Sequence, residues 1–106
     1  MNEPVPGVDV AELSELLKKG AELIDVREPN EYAEVRVPGA RLVPLGIVPD
    51  SLDSFPEGKF YVICKSGGRS HRAAEWLRSN DLDAVNVVGG TSAWVAAGLT
   101  TESGGA

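Results

Sequence analysis

The chain has 106 residues, with 42% apolar and 25% charged side chains, which is typical of a soluble globular domain and unlike a disordered chain. At this length there is room for a single hydrophobic core. The formal net charge of −6 at pH 7 argues against a nucleic-acid or anionic-membrane partner, although a local basic pocket can still bind a small anion.

The counts of cysteine and histidine limit the chemistry further. The chain has one of each, so it can form neither an internal disulfide nor a zinc site of the Cys/His type, and we expect no metal and no cofactor. Its first residues, MNEPVPGVDVAELSELL, lack a basic segment followed by a continuous apolar run. We therefore expect no signal peptide and no membrane span, with a reducing cytoplasm as the compartment.

The chain is expected to begin with a loosely held extension, residues 1–8, ahead of a domain at residues 9–100. Asp9 predicts the start of a helix because its side chain can cap the helix N-terminus. The apolar residues of this helix have helical spacing and are Val10, Leu13, Leu16 and Leu17. Gly20 is expected to end it.

A short strand is predicted over Glu22–Arg27, and its polar end carries Asp25 and Arg27. Because ligands bind beyond the carboxyl ends of parallel strands, both side chains are candidates for supporting a site. The next segment, Asn30–Val35, predicts one or two helical turns. Arg27 and Glu31 lie four residues apart, near enough to pair, and such a pair more often stabilises a turn than takes part in catalysis.

The middle of the chain is predicted to hold only short elements. Arg41–Val43 predicts a second short strand, and Asp50–Leu52 predicts a helical turn. The segment 56–58, Pro-Glu-Gly, predicts a turn before the next strand.

The most informative stretch is Phe60–Leu77, FYVICKSGGRSHRAAEWL. Phe60–Ile63 has the length and composition of a buried strand, and Cys64 stands where that strand should stop. Paired glycines adopt positive φ at little cost, so the next six residues are predicted to form a loop: Lys65, Ser66, Gly67, Gly68, Arg69 and Ser70. A helix is predicted over Ser70–Arg78, and its apolar residues are Ala73, Ala74, Trp76 and Leu77.

This arrangement favours a nucleophilic thiol at Cys64. A loop that curls back before a helix points several backbone N–H groups inward, and the helix dipole adds positive potential there. Lys65, Arg69 and Arg72 add three cations near the sulfur, and such surroundings lower the pKa of a thiol. The structural alternative is that Cys64 is a small core hydrophobe. A phosphate-binding loop is excluded, because the pattern G-x-x-x-x-G-K-[ST] is absent.

The last part of the chain continues the alternation of strands and helices. Ala84–Val88 predicts a strand, and Thr91 predicts the cap of a final helix that runs to Ala97. Trp94 is expected in the core, and residues 101–106 are expected to form a flexible tail. Strands that alternate with helices predict an α/β fold, with a parallel sheet covered by helices on both faces.

Several of these segments together resemble the rhodanese family of sulfurtransferases. The resemblance covers nearly the whole chain and rests on IDVRE at Ile24–Glu28, EY at Glu31–Tyr32, PGA at Pro38–Ala40, YVICKSGGRS at Tyr61–Ser70 and NVVGGTSAW at Asn86–Trp94. It implies a single rhodanese-like domain with a five-stranded parallel sheet. It also implies an active loop that opens with Cys64 and a cysteine persulfide intermediate.

The resemblance implies a mechanism of sulfur transfer. The Cys64 thiolate would take the outer sulfur of thiosulfate or a similar donor as a persulfide that the loop N–H groups stabilise. Residues 65–70 are the substrate-binding candidates, with Lys65 and Arg69 for the oxyanions of the donor. Ser66 or Ser70 would supply a hydroxyl hydrogen bond. Because there is no second cysteine, the acceptor must be external: cyanide, a small thiol or a sulfur-acceptor protein.

One segment departs from the family pattern. The family usually has Gly-His before an apolar residue and the PGA segment, where this chain has Val35 and Arg36. An Arg36 side chain that faced the site would alter the preference for acceptors.

Two other classes of function stay open. A phosphatase or arsenate reductase would use the same thiolate, but Arg69 is the fifth residue after Cys64, so the loop is one residue shorter than the C-x5-R loop of cysteine phosphatases. A phosphate bound in line with the thiolate needs a wider ring of N–H donors. The other class is a non-catalytic interaction module, against which the intact cysteine and the cations argue.

Overall fold

The computed structural model describes residues 4–104 as an α/β domain with one parallel sheet. The five strands are β1 (Gly7–Val8), β2 (Leu23–Asp25), β3 (Arg41–Leu42), β4 (Lys59–Ile63) and β5 (Asp83–Val87). They lie in the order β1-β5-β4-β2-β3, and every neighbouring pair is parallel. The predicted five-stranded parallel sheet is thus confirmed, with β4, which precedes Cys64, at its centre.

The helices lie on both faces of this sheet. They are α1 (Val10–Lys18), α2 (Pro29–Glu34), α3 (Gly68–Ser79) and α4 (Gly90–Ala96), with two 3-10 helices at Leu45–Asp50 and Leu52–Ser54. Within residues 4–104 no helix is long and apolar enough to cross a membrane.

Alternation along β4 divides the core into two layers. Phe60, Val62 and Cys64 pack on one face with α3 and the 3-10 segment, whereas Tyr61 and Ile63 pack on the other face with α1 and α4. Because successive side chains of a strand point to opposite faces, Cys64 continues the α3 side of β4. The sulfur is therefore placed by the central strand and not by a free loop.

The first helix begins as the sequence predicts. Asp9 has extended backbone angles, and its Oδ1 accepts a hydrogen bond of 2.8 Å from the Glu12 N–H. This bond satisfies one of the N–H groups that a helix N-terminus leaves without a partner. Gly20 follows the end of the helix with a φ of +94°, in the left-handed region that favours glycine.

Some residues of both predicted terminal segments make backbone contacts with the domain. Gly7 and Val8, within the segment expected to be a loose extension, form β1 and pair with Asn86 and Val87 of β5. At the other end, Glu102, in the expected tail, forms an antiparallel bridge with Arg36. Residues 1–3 and 105–106 of these two predicted segments lie outside the described residues.

Several element boundaries differ from the predictions. Helix α3 starts at Gly68 instead of Ser70, so the second half of the predicted loop is its first turn. The cap of α4 is Gly89, with a φ of +82°, and Thr91 lies inside the helix. In both places a glycine in the left-handed region ends the preceding loop, and no side chain caps the helix.

The remaining comparisons concern the helical turn in the middle of the chain and the two tryptophans. The single helical turn predicted over Asp50–Leu52 is replaced by the two 3-10 helices on either side of Ser51. Trp76, predicted on the buried face of α3, is 37% exposed because it lies at the edge of that face, beside Arg72. Trp94 is 5% exposed, as predicted for a core residue.

Candidate active site

The candidate nucleophile lies where β4 gives way to a tight loop. Cys64 is 1% exposed. It directly follows Ile63, the last residue of β4, and so lies at the carboxyl edge of the sheet. The loop then turns through Gly67, whose φ of +108° is open to glycine but strained for other residues. Helix α3 starts at the next residue, so its N-terminus faces the thiol.

Hydrogen-bond donors converge on the sulfur. The Gly67 N–H lies 3.1 Å from Cys64 Sγ, and the Ser70 hydroxyl oxygen lies 3.4 Å from it. Of the two serines that the sequence offers for a hydroxyl contact, the structure brings Ser70 to the sulfur and leaves the Ser66 side chain exposed. Donors in this position stabilise negative charge on the sulfur.

These contacts explain the acidity of the thiol. Burial raises the pKa of Cys64, whereas hydrogen bonds from the Ser70 hydroxyl and from the backbone N–H groups of Ser70, Gly67 and Ser66 lower it, and the net result is a pKa below the ordinary value. The predicted inward-pointing N–H groups are thus found at the sulfur. The three predicted cations are not among the main causes of the lowered pKa, although the charges of Arg69 and Cys64 do interact.

Residues at the N-terminus of α4 are hydrogen-bonded to the first residues of the loop. The Thr91 N–H and the Thr91 hydroxyl both donate to the Cys64 carbonyl oxygen, at 2.9 and 3.1 Å, and the Ser92 N–H donates to that of Lys65 at 2.9 Å. The backbones approach so closely that a Cβ on Gly90 would lie 2.5 Å from the Cys64 oxygen. The loop is therefore fixed by the neighbouring helix as well as by its own sequence.

Arg69, a predicted ligand for the donor's oxyanions, is already paired. Its Nη1 and Nη2 lie 2.8 and 2.9 Å from the two carboxylate oxygens of Glu31 on α2. This two-bond contact lowers the pKa of Glu31 from 4.5 to about 2, in spite of an opposing effect of burial, with further help from the Glu28 backbone N–H. The guanidinium thus ties α3 to α2, and an anion would have to compete with Glu31 for it.

A second ion pair lies at the end of β2. Asp25 is fully buried, and its carboxylate accepts hydrogen bonds of 2.8 to 3.1 Å from the Arg27 side chain and one of 3.0 Å from the Arg27 N–H. Arg27 also donates to the Val35 carbonyl oxygen at 2.7 Å. The expected pairing of Arg27 with Glu31 is wrong, because each side chain is bound to another partner. Both predicted support residues, Asp25 and Arg27, nevertheless stand at the carboxyl edge of the sheet.

A cavity of about 390 Å³ opens beside the loop. Among its lining residues are Lys65 of the loop, Arg27, and Thr91 at the start of α4. Lys65 is exposed, and no ion pair engages it within residues 4–104. It is therefore the loop cation without an ion-pair partner in this part of the chain, and the acids Glu31 and Glu34 also line the cavity.

Two other predicted cations point elsewhere. The Arg36 guanidinium contacts the Tyr32 and Gly104 carbonyl oxygens, each at 3.1 Å, and lies 4.6 Å from the centre of the Tyr32 ring. Its contacts are thus with α2 and the end of the chain, and the structure gives it no contact with the loop. Arg72 lines a smaller cavity with Trp76, on the α3 side of the sheet.

Several residues that build this site are not among the site residues that the sequence predicts. Glu31, Gly90 and Thr91 hold the loop through the contacts described above, and Asn86 of β5 contacts Ser70, with 2.6 Å between Asn86 Oδ1 and Ser70 Oγ. The sequence does hold a sign of the role of Asn86, since it is a polar residue inside an otherwise apolar strand. The other three act through contacts distant in sequence, which no local pattern reveals.

The five-stranded parallel sheet with helices on both faces is the fold of a rhodanese-like domain. A sequence model of the family described as Rhodanese-like domain matches residues 9–97, and the chain therefore belongs to this family, which confirms the resemblance.

Known relatives agree with this assignment. The putative sulfurtransferase YtwF of Bacillus subtilis is 38% identical over 90 residues, which are 82% of this chain and 87% of that protein. The Rhodanese-like/PpiC domain-containing protein 12, chloroplastic, of Arabidopsis thaliana is 39% identical over 103 residues, and the match spans only 34% of its length. A rhodanese-like domain protein from Staphylococcus aureus has a similar crystal structure, with a TM-score of 0.80, 36% identity, and coverage of 85% of this chain and 91% of that one.

Proposed function

We propose that this protein is a sulfurtransferase that moves a sulfane sulfur from thiosulfate or a similar donor to cyanide or a thiol, through a persulfide on Cys64. The observation that carries the proposal is the convergence of the Gly67 N–H and the Ser70 hydroxyl on the Cys64 sulfur. These donors favour the thiolate, the form of cysteine that attacks sulfur.

The reaction has two displacement steps. The Cys64 thiolate attacks the outer sulfur of thiosulfate, a new S–S bond forms, and sulfite leaves with the electron pair of the bond that breaks. An acceptor thiolate or cyanide then attacks the outer sulfur of the persulfide. This second step releases Cys64 as a thiolate and gives an acceptor persulfide or thiocyanate, so that no oxidant or reductant is consumed.

The loop and its cavity supply what these steps need. Lys65 would attract the oxyanions of the donor, because it lines the cavity and is not paired within the described residues. The loop N–H groups would stabilise the negative charge that returns to sulfur when the acceptor attacks. Arg69 would contribute by holding the loop against α2 through Glu31.

The acceptor would be external to the chain. With one cysteine, the protein cannot resolve its persulfide as an internal disulfide, so a small thiol or a partner protein would take the sulfur. We propose the cytoplasm as the compartment, since the thiol must stay reduced between turnovers.

Intact mass spectrometry tests the proposal. After incubation with thiosulfate, the protein should gain the mass of one sulfur atom and lose it again on addition of cyanide or a thiol, whereas the Cys64→Ser variant should gain nothing. No gain by a protein whose thiol is free and alkylates readily would overturn the thiosulfate mechanism. Turnover of an aryl phosphate would then indicate the phosphatase alternative, and a thiol inert to both substrates would indicate an interaction module.

A further inference from the structure

A buried asparagine lies behind the candidate nucleophile. Asn86 is 6% exposed and interrupts the otherwise apolar interior of β5, between Val85 and Val87. Burial of a polar side chain is unfavourable unless it is hydrogen-bonded. Its amide oxygen lies 2.6 Å from the Ser70 hydroxyl oxygen, which in turn is 3.4 Å from the Cys64 sulfur.

The Ser70 hydroxyl lies near three acceptors but can donate to only one of them at a time. It is fully buried, and besides Asn86 Oδ1 and Cys64 Sγ it faces the Gly67 carbonyl oxygen at 3.3 Å. A hydroxyl has a single proton to donate. The amide oxygen is at the shortest distance, so it is the preferred acceptor while the sulfur is a neutral thiol. A thiolate carries full negative charge and is the stronger acceptor once it has formed.

We infer that Asn86 is a positioning residue for the sulfur transfer proposed above: its amide oxygen holds the Ser70 hydrogen bond while Cys64 is a thiol, and releases it to the sulfur when Cys64 becomes a thiolate. The O–H bond of Ser70 stays intact throughout, and only the acceptor of its hydrogen bond changes. In the thiol state a lone pair of the hydroxyl oxygen faces the sulfur and can accept the S–H proton.

The asparagine thereby opposes ionisation of the thiol. When the hydroxyl turns to the sulfur, Asn86 Oδ1 loses a buried hydrogen bond, and this loss partly offsets the stabilisation of the thiolate. Without an acceptor at position 86, the hydroxyl would have only the more distant Gly67 carbonyl oxygen and the sulfur as acceptors, so less would be lost when it turned to the thiolate.

The charged groups around the thiol stay in place during this exchange. They are Arg69 with its partner Glu31 on α2, the pair of Asp25 and Arg27 at the end of β2, and Lys65 in the loop. Neither Asn86 nor Ser70 bonds to any of their side chains, so substitutions at 86 and 70 remove no hydrogen bond made by these groups.

The test is a double-mutant cycle read by the rate of Cys64 alkylation with iodoacetamide as a function of pH. Asn86→Leu, of similar size but without an acceptor, should shift the curve to lower pH. At a pH below the wild-type midpoint it should raise the rate about threefold to tenfold, the effect of one ordinary hydrogen bond. Ser70→Ala should shift the curve to higher pH. In the Ser70→Ala background, Asn86→Leu should add no shift.

A folded Asn86→Leu variant whose curve matches the wild type would overturn the inference, as would an equal shift in the Ser70→Ala background. If Asn86→Leu does not fold, Asn86→Ala serves in the same cycle. NMR of the unsubstituted protein gives an independent reading: the Asn86 side-chain carbonyl resonance should move as Cys64 ionises, and this movement should be much smaller in Ser70→Ala. Alkylation reports the thiol even if thiosulfate is not a donor, so failure of the inference and failure of the proposed function are distinguishable.

Discussion

Hydrogen bonds from neutral groups are the main cause of the lowered pKa of Cys64. The sequence placed the cysteine at the end of a strand and before a glycine-rich turn, and both features are found. The sequence also predicted that the nearby cations would act on the sulfur. It could not reveal that Arg69 would be paired with Glu31, 38 residues away along the chain, because that contact depends on how α2 packs against α3.

The contact between Glu31 and Arg69 should make stability depend on pH. The pKa of Glu31 is lowered from 4.5 to about 2 in the folded chain. The carboxylate therefore contributes stability above about pH 4.5, and this contribution is lost as the pH falls toward 2. We expect Glu31→Gln to lower the free energy of unfolding near neutral pH, with a difference from wild type that shrinks over that range.

Urea unfolding at several pH values measures this effect. Glu34→Gln is a matched control, because Glu34 is an exposed acid of the same helix for which the described residues hold no ion pair. A difference between Glu31→Gln and wild type that stays constant down to pH 3 would contradict the prediction.

At the scale of elements, the first residues of α4 hold the loop in place through hydrogen bonds to its backbone. The sequence predicted this helix, but it assigned the cap to Thr91 by the usual preference for hydroxyl residues. In the structure the helix starts one residue before Thr91, whose hydroxyl bonds the Cys64 carbonyl oxygen. Local capping rules could not foresee this, because the partner of Thr91 lies in the loop after β4, 27 residues away along the chain.

Gly90→Ala should therefore damage the loop more than a glycine substitution elsewhere. A Cβ at this position would lie 2.5 to 2.7 Å from backbone atoms of Cys64 and Lys65. We expect a loss of about 3 kcal/mol or more in stability, with slower alkylation or sulfur loading of Cys64, because the loop must move.

Gly98→Ala is the matched control, since Gly98 also has a positive φ but nothing within 4 Å of a new Cβ. It should lose only about 1–2 kcal/mol from backbone strain and leave the thiol reactivity unchanged. Denaturation midpoints and alkylation rates measure both effects. Equal losses in the two variants would show that the close approach at Gly90 is unimportant.

At the scale of the whole molecule, Glu102 and Gly104 make contacts with α2 and with the residues that follow it. Arg36 and Glu102 exchange two backbone hydrogen bonds of 2.9 and 3.0 Å, and the Gly104 N–H donates to the Ala33 carbonyl oxygen at 2.7 Å. The alternation of strands and helices sufficed to predict the parallel sheet. It could not predict these closing contacts, because a short polar segment carries no periodic signal.

A chain that ends at Thr100 should be less stable and should have a looser α2. Loss of the contacts of Glu102 and Gly104 is expected to lower the free energy of unfolding by about 1–3 kcal/mol. In the shortened chain the Arg36 amide should exchange with solvent faster than in the full chain. The Leu13 amide in α1 should exchange at the same rate in both chains. A chain that ends at Gly104 is the control, and hydrogen exchange is the measurement. Unchanged exchange at Arg36 in the shorter chain would contradict the prediction.

The two edges of the sheet bear on how another protein can approach. Both edge strands, β1 and β3, are only two residues long. Such short edges offer few free backbone groups, so they resist the addition of a strand from a second chain, the usual route of edge-to-edge aggregation. We therefore expect neither edge to pair with a strand of another molecule, and the sulfur acceptor proposed above, if it is a protein, to be bound through side-chain contacts.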